Sequence, residues 1–263
     1  MLMHDFENEI QQFIQLLKSE NNFDVINLST DVYSVLNKET SKSVCISFYK
    51  QFPSLSNSLS NKNIILPYDI FLFNSSEKIF RFIRNKLILL KTIFARNLIF
   101  REISEADARA FLSANHIMNY AKAHKWYGLR NFEDNKLYVL AGISRGKKIY
   151  NDHPLRNLSV ELVRICTAYD YVVAGGLKKL LHHIRQLYPQ TRDFVTYVDS
   201  GWSSGSGLLK AGFIKESAET TFTFLVSPGE KKIVKLNSDY APPLLPDEYL
   251  RVSMPVWKFR YPT

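Results

Sequence analysis

Three polar residues stand where an alternating strand and helix pattern could use them for chemistry. His116 follows directly on a helical run at 111–115, and an imidazole at a helix end can titrate near neutral pH and take a proton. It can equally cap the helix. Asp199 closes the strand-like run 194–198, at the carboxyl end where open α/β sheets place ligands. It could orient a base, accept a proton, or cap the next helix. Arg164 falls mid-strand between Val163 and Ile165, and a charge in such a run needs a partner. Glu161 is three residues away and points to the opposite face, so Asp199 is the better candidate. A structural ion pair and a substrate-binding arginine both stay open. Trp202 could stack on a base or anchor its own Gly/Ser-rich loop.

A second feature is the pair Gly175-Gly176, between a strand at 160–167 and an amphipathic helix at 177–188. Glycines let backbone N–H groups approach a phosphate, and a helix N-terminus adds its positive dipole. Lys178 and Lys179 lie in the first turn and would strengthen that field. A glycine pair before a helix is also an ordinary tight turn. Metal and nucleophile chemistry find little support. His182 and His183 are adjacent on a helix and point apart, His116, His124 and His153 fall in separate segments, and no Cys-x-x-Cys occurs. Cys166 reads as a core residue.

The elements that must position these residues follow from periodicity. Residues 6–18 form an amphipathic helix, with strands expected at 23–28, 43–48 and 64–66 and a Ser/Asn-rich loop at 53–63. Asn74-Ser75-Ser76-Glu77 matches a capping box, and the basic segment after it is expected to stay helical to about Ala95 as a linker. From Leu98 strands are expected at 98–104, 126–130, 137–144, 160–167, 194–198, 213–215 and 221–226. Helices are expected through 105–115, 177–188 and 207–211. This alternation predicts an α/β fold, a mixed central sheet with helices on both faces, behind a smaller α+β N-terminal domain. The expected domains are 1–97, 98–226 and a Pro- and aromatic-rich arm, 227–263, packed on the body.

The strand, Gly175-Gly176 and helix, followed by Tyr197-Val198-Asp199, a polar loop and a short helix ending in Gly212-Phe213, resemble the GNAT acyltransferase superfamily over about 98–226. The resemblance implies a splayed strand and glycine turn holding the pantetheine and pyrophosphate of acetyl-CoA or another acyl-CoA. Ile165, Cys166, Val173, Ala174, Gly175, Gly176 and Lys178 would then line the cofactor. Where the family has two glycines separated by one residue, this chain has adjacent glycines. A narrower resemblance joins residues 111–116, 127–129, 161–166, Gly175-Gly176, 197–199 and Trp202-Ser203 to the Mom-type DNA-modification proteins of bacteriophages and related mobile-element GNAT-like domains. It implies transfer of an acyl-CoA-derived group to a DNA base. His116 or Asp199 would deprotonate the amine, and Tyr197 or Tyr127 would protonate the leaving sulfur. Arg164 would complete the site, with His116, Arg164 and Asp199 drawn toward one end of the sheet. The other readings are a non-catalytic nucleic-acid-binding module of the same fold and a small-molecule or protein N-acetyltransferase.

Bulk properties are consistent with these readings. Of the 263 residues 46% are apolar, enough for a core, and no stretch approaches the ~20 apolar residues of a membrane span. The acidic N-terminus is unlike a signal peptide, and two cysteines suit a reducing cytoplasm. The net charge is +9, of which residues 1–97 carry +2 and the rest +7. Such a field attracts nucleic acid, acidic membranes or polyphosphate cofactors. In the N-terminal part Asp24, Asp31 and Glu39 lie near strands, but the strand at 43–48 lacks the acid a metal-dependent nuclease would need. An accessory or degenerate domain is expected there, with no metal site.

Overall fold

The computed structural model of the chain describes residues 3–51, 63–148, 157–236 and 243–262. The expected loop at 53–63 falls almost wholly outside the described residues, as does His153. In chain order the elements are α1 (Met3–Ser19), β1 (Phe23–Ser29), β2 (Val32–Asn37), β3 (Ser43–Tyr49), β4 (Asn63–Pro67), α2 (Ser76–Leu87), β5 (Lys91–Phe94), β6 (Leu98–Glu102) and α3 (Glu105–Asn115). Then come β7 (Lys125–Asn131), β8 (Leu137–Ile143), β9 (Lys147–Lys148), β10 (Leu158–Thr167), β11 (Tyr171–Ala174), α4 (Gly176–Leu187), β12 (Thr191–Asp199) and α5 (Ser206–Ala211). The chain ends with β13 (Ile214–Thr220), β14 (Thr223–Ser227), β15 (Lys232–Lys235), β16 (Tyr249–Val252) and β17 (Val256–Pro262). Two compact units result. The first comprises Met1–Ile88, Asp199–Ser204 and Glu219–Trp257, the second Leu89–Val198, Gly205–Ala218 and Lys258–Thr263.

The first unit is α+β. Its four-stranded sheet runs β1-β2-β3-β4, antiparallel except for the parallel pair β3 and β4. The apolar stripe of α1 (Ile10, Phe13, Leu17) is buried, as are Ile79, Ile83 and Leu87 of α2. Phe13 meets Phe48 edge-on at 5.9 Å between centroids. Ser75 caps α2 through the Lys78 amide, as the sequence expects. The helix stops at Leu87 rather than near Ala95. Ile88 is extended, and Lys91–Phe94 pairs in parallel with Tyr171–Ala174. The helical spacing of the apolar residues continues past Leu87, but a distant strand partner captures the β-branched segment.

The second unit is the mixed α/β sheet with helices on both faces. Its strand order is β13-β17-β12-β10-β8-β7-β6, with β9 paired to β10 off this path. The ladders β6/β7, β7/β8 and β8/β10 are antiparallel, and β10/β12 is parallel. Neighbouring strand residues face opposite ways, which assigns the helices to faces. Ala108 and Leu112 of α3 pack with Trp126, Leu140 and Cys166. Gly176, which opens α4, lies against Val139, and Tyr188 at the end of α4 meets Tyr127. Trp126 and Tyr127, like Val139 and Leu140, are adjacent, so α3 and α4 cover opposite faces. The Pro- and aromatic-rich end, expected as an extended arm packed on the body, contains a strand of the sheet, β17, between β12 and β13.

Candidate functional site

Two parallel strands part in the middle of this sheet. The β10/β12 ladder runs from Leu158 opposite Thr191 to Glu161 opposite Val195. One more link follows, the Thr196 hydroxyl donating to the Leu162 carbonyl at 2.9 Å. Both strands then continue, β10 to Thr167 and β12 to Asp199. From Leu162 onward β10 pairs on its other side, with β8, and the register slips between Leu162 and Arg164. That slip is a bulge, which bends a strand and adds local twist. The side of β10 that faces β12 carries no ladder beyond the fork, so backbone donors and acceptors line an opening between two strands. An extended ligand bearing amides can bond there as an added strand would.

The chain then leaves β10 through a turn held by α3: the Asn115 side chain accepts from the Tyr169 amide at 2.9 Å. It forms β11 and enters α4 through Gly175, at φ +75°. This left-handed geometry favours glycine, and a Cβ at Gly175 would meet only Ala95, at 3.7 Å. The first N–H groups of α4 lack intrahelical acceptors. Gly176 has a different reason to be glycine. Its Cβ would lie 2.8 Å from Val173 and 3.2 Å from Val139, so it is small for packing and not for phosphate approach. Lys178 is exposed beside the turn. Lys179 is committed elsewhere, its ammonium donating to the carbonyls of Ala95 and Leu98 at 3.1 and 2.6 Å, and it adds little to a phosphate site.

The remaining expected residues divide by face and by unit. Ile165, Val173 and Ala174 are half-buried along β10 and β11. Cys166 is a free thiol buried in the α3-side core, so only its backbone could meet a cofactor. Tyr127 is buried on the α4 face, stacked on Phe100 at 5.3 Å, its hydroxyl 2.8 Å from that of Tyr188. Burial, then the Tyr188 bond, holds its phenol above the ordinary range. Tyr197 on β12, past the end of the ladder, is 51% exposed. His116 is the C-cap of α3, and its Nδ1 accepts from the Met118 amide at 3.1 Å. The loop that begins there reaches Arg164, whose Nε donates to the Asn119 carbonyl at 3.2 Å. Asn119 has φ +53°, a conformation asparagine adopts more readily than most residues. His116 and Arg164 thus border one loop. The bulge had no sequence signal, because it exists only in the pairing of β10 with β8.

Asp199 belongs to the first unit, and so do its partners. Its Oδ1 accepts from the Gly201 amide at 2.8 Å. Burial raises its pKa to about 7, against the lowering effects of that bond and of Arg251. Arg251 lies 2.9 Å from Asp69, both nearly fully buried, and 4.5 Å over the Phe224 ring. Burial lifts Asp69 to about 6 and Tyr49 to about 12. The sequence reading did not single out Asp69 or Arg251, which become partners only through folding. The carbonyl of Trp202 accepts from Lys86 at 3.1 Å. Asp24 pairs with Lys38 at 3.0 Å and Asp31 accepts from the Tyr68 hydroxyl. Among the described residues no three His, Cys, Asp or Glu side chains gather as a metal site, and no helix is long and apolar enough to cross a membrane.

No family model matches the chain, and no curated protein does. Solved structures similar to it include the ribosomal-protein-S18-alanine N-acetyltransferase from Escherichia coli, at 14% identity and TM-score 0.37, over 63% of this chain and 93% of that one. A Bacillus subtilis acetyltransferase in complex with CoA is similar at 11% identity and TM-score 0.36, over 63% and 99%. Arabidopsis thaliana NAA60 in complex with acetyl-CoA is similar at 10% identity and TM-score 0.39, over 63% and 99%. Likenesses of this strength add no weight to the geometry above.

Proposed function

We propose that the second unit is an acyl-CoA-dependent N-acyltransferase. The observation that carries this reading is the fork between β10 and β12, opening after Glu161 and Val195 on the strand that leads to the left-handed turn at Gly175. The pantetheine arm of an acyl-CoA is an extended chain with two amides, which suits the free backbone of β10. Its pyrophosphate suits the N–H groups of α4 with Lys178 beside them. When bound, it supplies a thioester whose acyl carbon forms a bond to an acceptor nitrogen as its bond to sulfur breaks. The chain's own groups would handle the protons. His116 takes one from the attacking amine, and Tyr197 returns one to the leaving sulfur in place of Tyr127, whose hydroxyl Tyr188 already engages; Asp199, in the first unit, is left out of this role.

The acceptor is proposed to be a DNA base, on the Mom-type resemblance and on charge. The second unit holds 21 Lys and Arg against 10 Asp and Glu, a net of +11, while the first is at −2. A ring amine is a weak nucleophile, so nucleoside mass analysis of DNA from cells expressing the chain is the direct check. An unmodified nucleoside profile, together with acetyl-CoA turnover on other amines, would support a small-molecule or protein acceptor instead. Titration calorimetry with CoA and acetyl-CoA tests the donor. Binding of DNA without any heat from either compound would support a non-catalytic module on the same fold.

A further inference from the structure

Among the described residues of the second unit three arginines are partly buried: Arg130, Arg164 and Arg260. Arg130 meets Asp107 at 2.7 Å. Arg260 meets Asp193 at 2.6 Å and Glu216 at 2.5 Å. Arg164 meets no carboxylate within salt-bridge distance among the described residues. Its bonds go to neutral carbonyls, Nε to Asn119 at 3.2 Å and one Nη1 hydrogen to Val163 at 3.0 Å. Burial pulls its pKa down, and Glu161 offsets this only through space. A guanidinium carries five N–H donors, so three are left after these two bonds. Taking a cation out of water without an anion is costly, and the fold keeps that arrangement at one position.

The position is the throat of the fork. Arg164 is the first residue past the bulge of β10, where the ladder to β12 has ended. It shares a face with Cys166, two residues on, and so lies on the α3 side of the sheet. The Asn119 and Val163 carbonyls take Nε–H and one Nη1 hydrogen, so the edge that can still offer two N–H groups is the Nη1–Nη2 edge, and no protein acceptor among the described residues takes the Nη2 hydrogens. A guanidinium edge offers two parallel N–H groups, the geometry that takes a carboxylate or phosphate bidentately. Gly142, opposite Arg164 on β8 and under the Trp126 ring, puts no side chain of its own beside it.

We propose that Arg164 is the anion anchor of the acceptor site, so that the acceptor is an amine bearing a carboxylate or phosphate close to the reacting nitrogen. The role of that amine rests on the transferase reading; the anion site itself does not. The full-length protein, labelled with 15N, is therefore titrated first with inorganic phosphate and then with acetate, following the Nε–H resonance of Arg164. Saturable movement of that resonance is expected, absent in Arg164→Met, while the Arg130 and Arg260 resonances stay in place. A resonance that neither anion moves overturns the proposal, whatever the protein does with acyl-CoA.

A second measurement follows CoA release from acetyl-CoA with paired amines: phosphoethanolamine against ethanolamine, and glycine against glycinamide. Turnover is expected only with anionic members, and the pairs that respond distinguish phosphate from carboxylate. Arg164→Met should raise KM for the active amine at least ~10-fold with the CoA affinity unchanged, and Arg164→Lys should recover part of it. Equal turnover of charged and neutral members sinks the anion anchor and leaves the transferase standing. A moving Arg164 resonance in a protein that binds neither CoA nor acetyl-CoA keeps the anchor and sinks the transferase.

Discussion

At the scale of single residues, Asp199 carries a pH dependence whose sign can be worked out. Its folded pKa of about 7 lies above the ordinary carboxylate value of 3.8, because burial disfavours the charged form. Between those two values the unfolded chain is ionised there and the folded chain holds its proton. Stability is therefore lost as pH rises from about 4 to about 7, with no further change above. Asp199→Asn keeps the acceptor for the Gly201 amide and removes the titration. Its stability, followed by Tm, should match the parent near pH 4 and exceed it at pH 8, by at least ~1 kcal/mol of unfolding free energy once partial exposure is allowed for. Asp69 titrates in both proteins, so the difference isolates Asp199. A Tm gap that stays constant across this range would mean that Asp199 titrates normally. The two glycines at the α4 turn separate in the same way. Gly175→Ala should cost about 1–2 kcal/mol through its left-handed backbone. Gly176→Ala should cost about 1–3 kcal/mol through the 2.8 Å approach to Val173. Thermal melts distinguish these losses from a loss of CoA affinity, which only Gly175→Ala should show beyond its effect on folding.

At the scale of elements, what could be read from the sequence is what depends on neighbours along the chain. The helix α4 was legible from Leu180, Leu181 and Ile184 on one face and Pro189 beyond its end. Helix α3 was legible from Ser104, whose side chain accepts from the Asp107 amide at 3.0 Å. The strands β7, β8 and β10 were legible as apolar runs of the right length. Elements decided by distant partners were not. The β5 segment looked like more of α2 until its pairing with β11 is known. The segment of β17 was legible as an arm packed on the body, from Trp257, Phe259 and Tyr261 among the prolines, and Phe259 is fully buried, but its place between two strands of the sheet was not. The bulge that aims Arg164 is likewise a property of two strands and not of one. β17 makes a sharp prediction. Arg260 on it holds Asp193 of β12, which is 2% exposed and also accepts from the Ser159 hydroxyl at 2.5 Å. Arg260→Met strands that carboxylate. With Arg260 a third exposed, the loss should be about 2–3 kcal/mol, below the ~3–5 of a fully buried pair. Urea unfolding of the full chain measures it, and an unchanged midpoint would show that Ser159 alone satisfies Asp193.

At the scale of the whole molecule, charge is sorted more sharply than a cut along the chain suggests. Dividing at residue 97 gives +2 and +7. Dividing by compact unit gives −2 and +11, because the second unit gains Lys91 and Arg96 and leaves to the first both Asp199 and the segment 219–257, which is net acidic by one. A field of one sign that is concentrated in the unit with the fork raises the local concentration of anionic ligands there. It does so for a pyrophosphate, a phosphorylated amine or a polynucleotide alike. Only the polynucleotide extends far enough to displace several condensed counterions at once. The test is therefore the salt dependence of binding to a labelled duplex, read by fluorescence anisotropy. Neutralising two phosphates should weaken binding about tenfold between about 50 and 200 mM salt, with a steeper fall for each further contact. Charge reversal at Lys147 and Lys148, which are exposed on β9, should flatten that slope if they belong to the contact face. Binding that is undetectable even at low salt would remove the DNA acceptor. The +11 would then serve the donor's phosphates and a small anionic acceptor at Arg164.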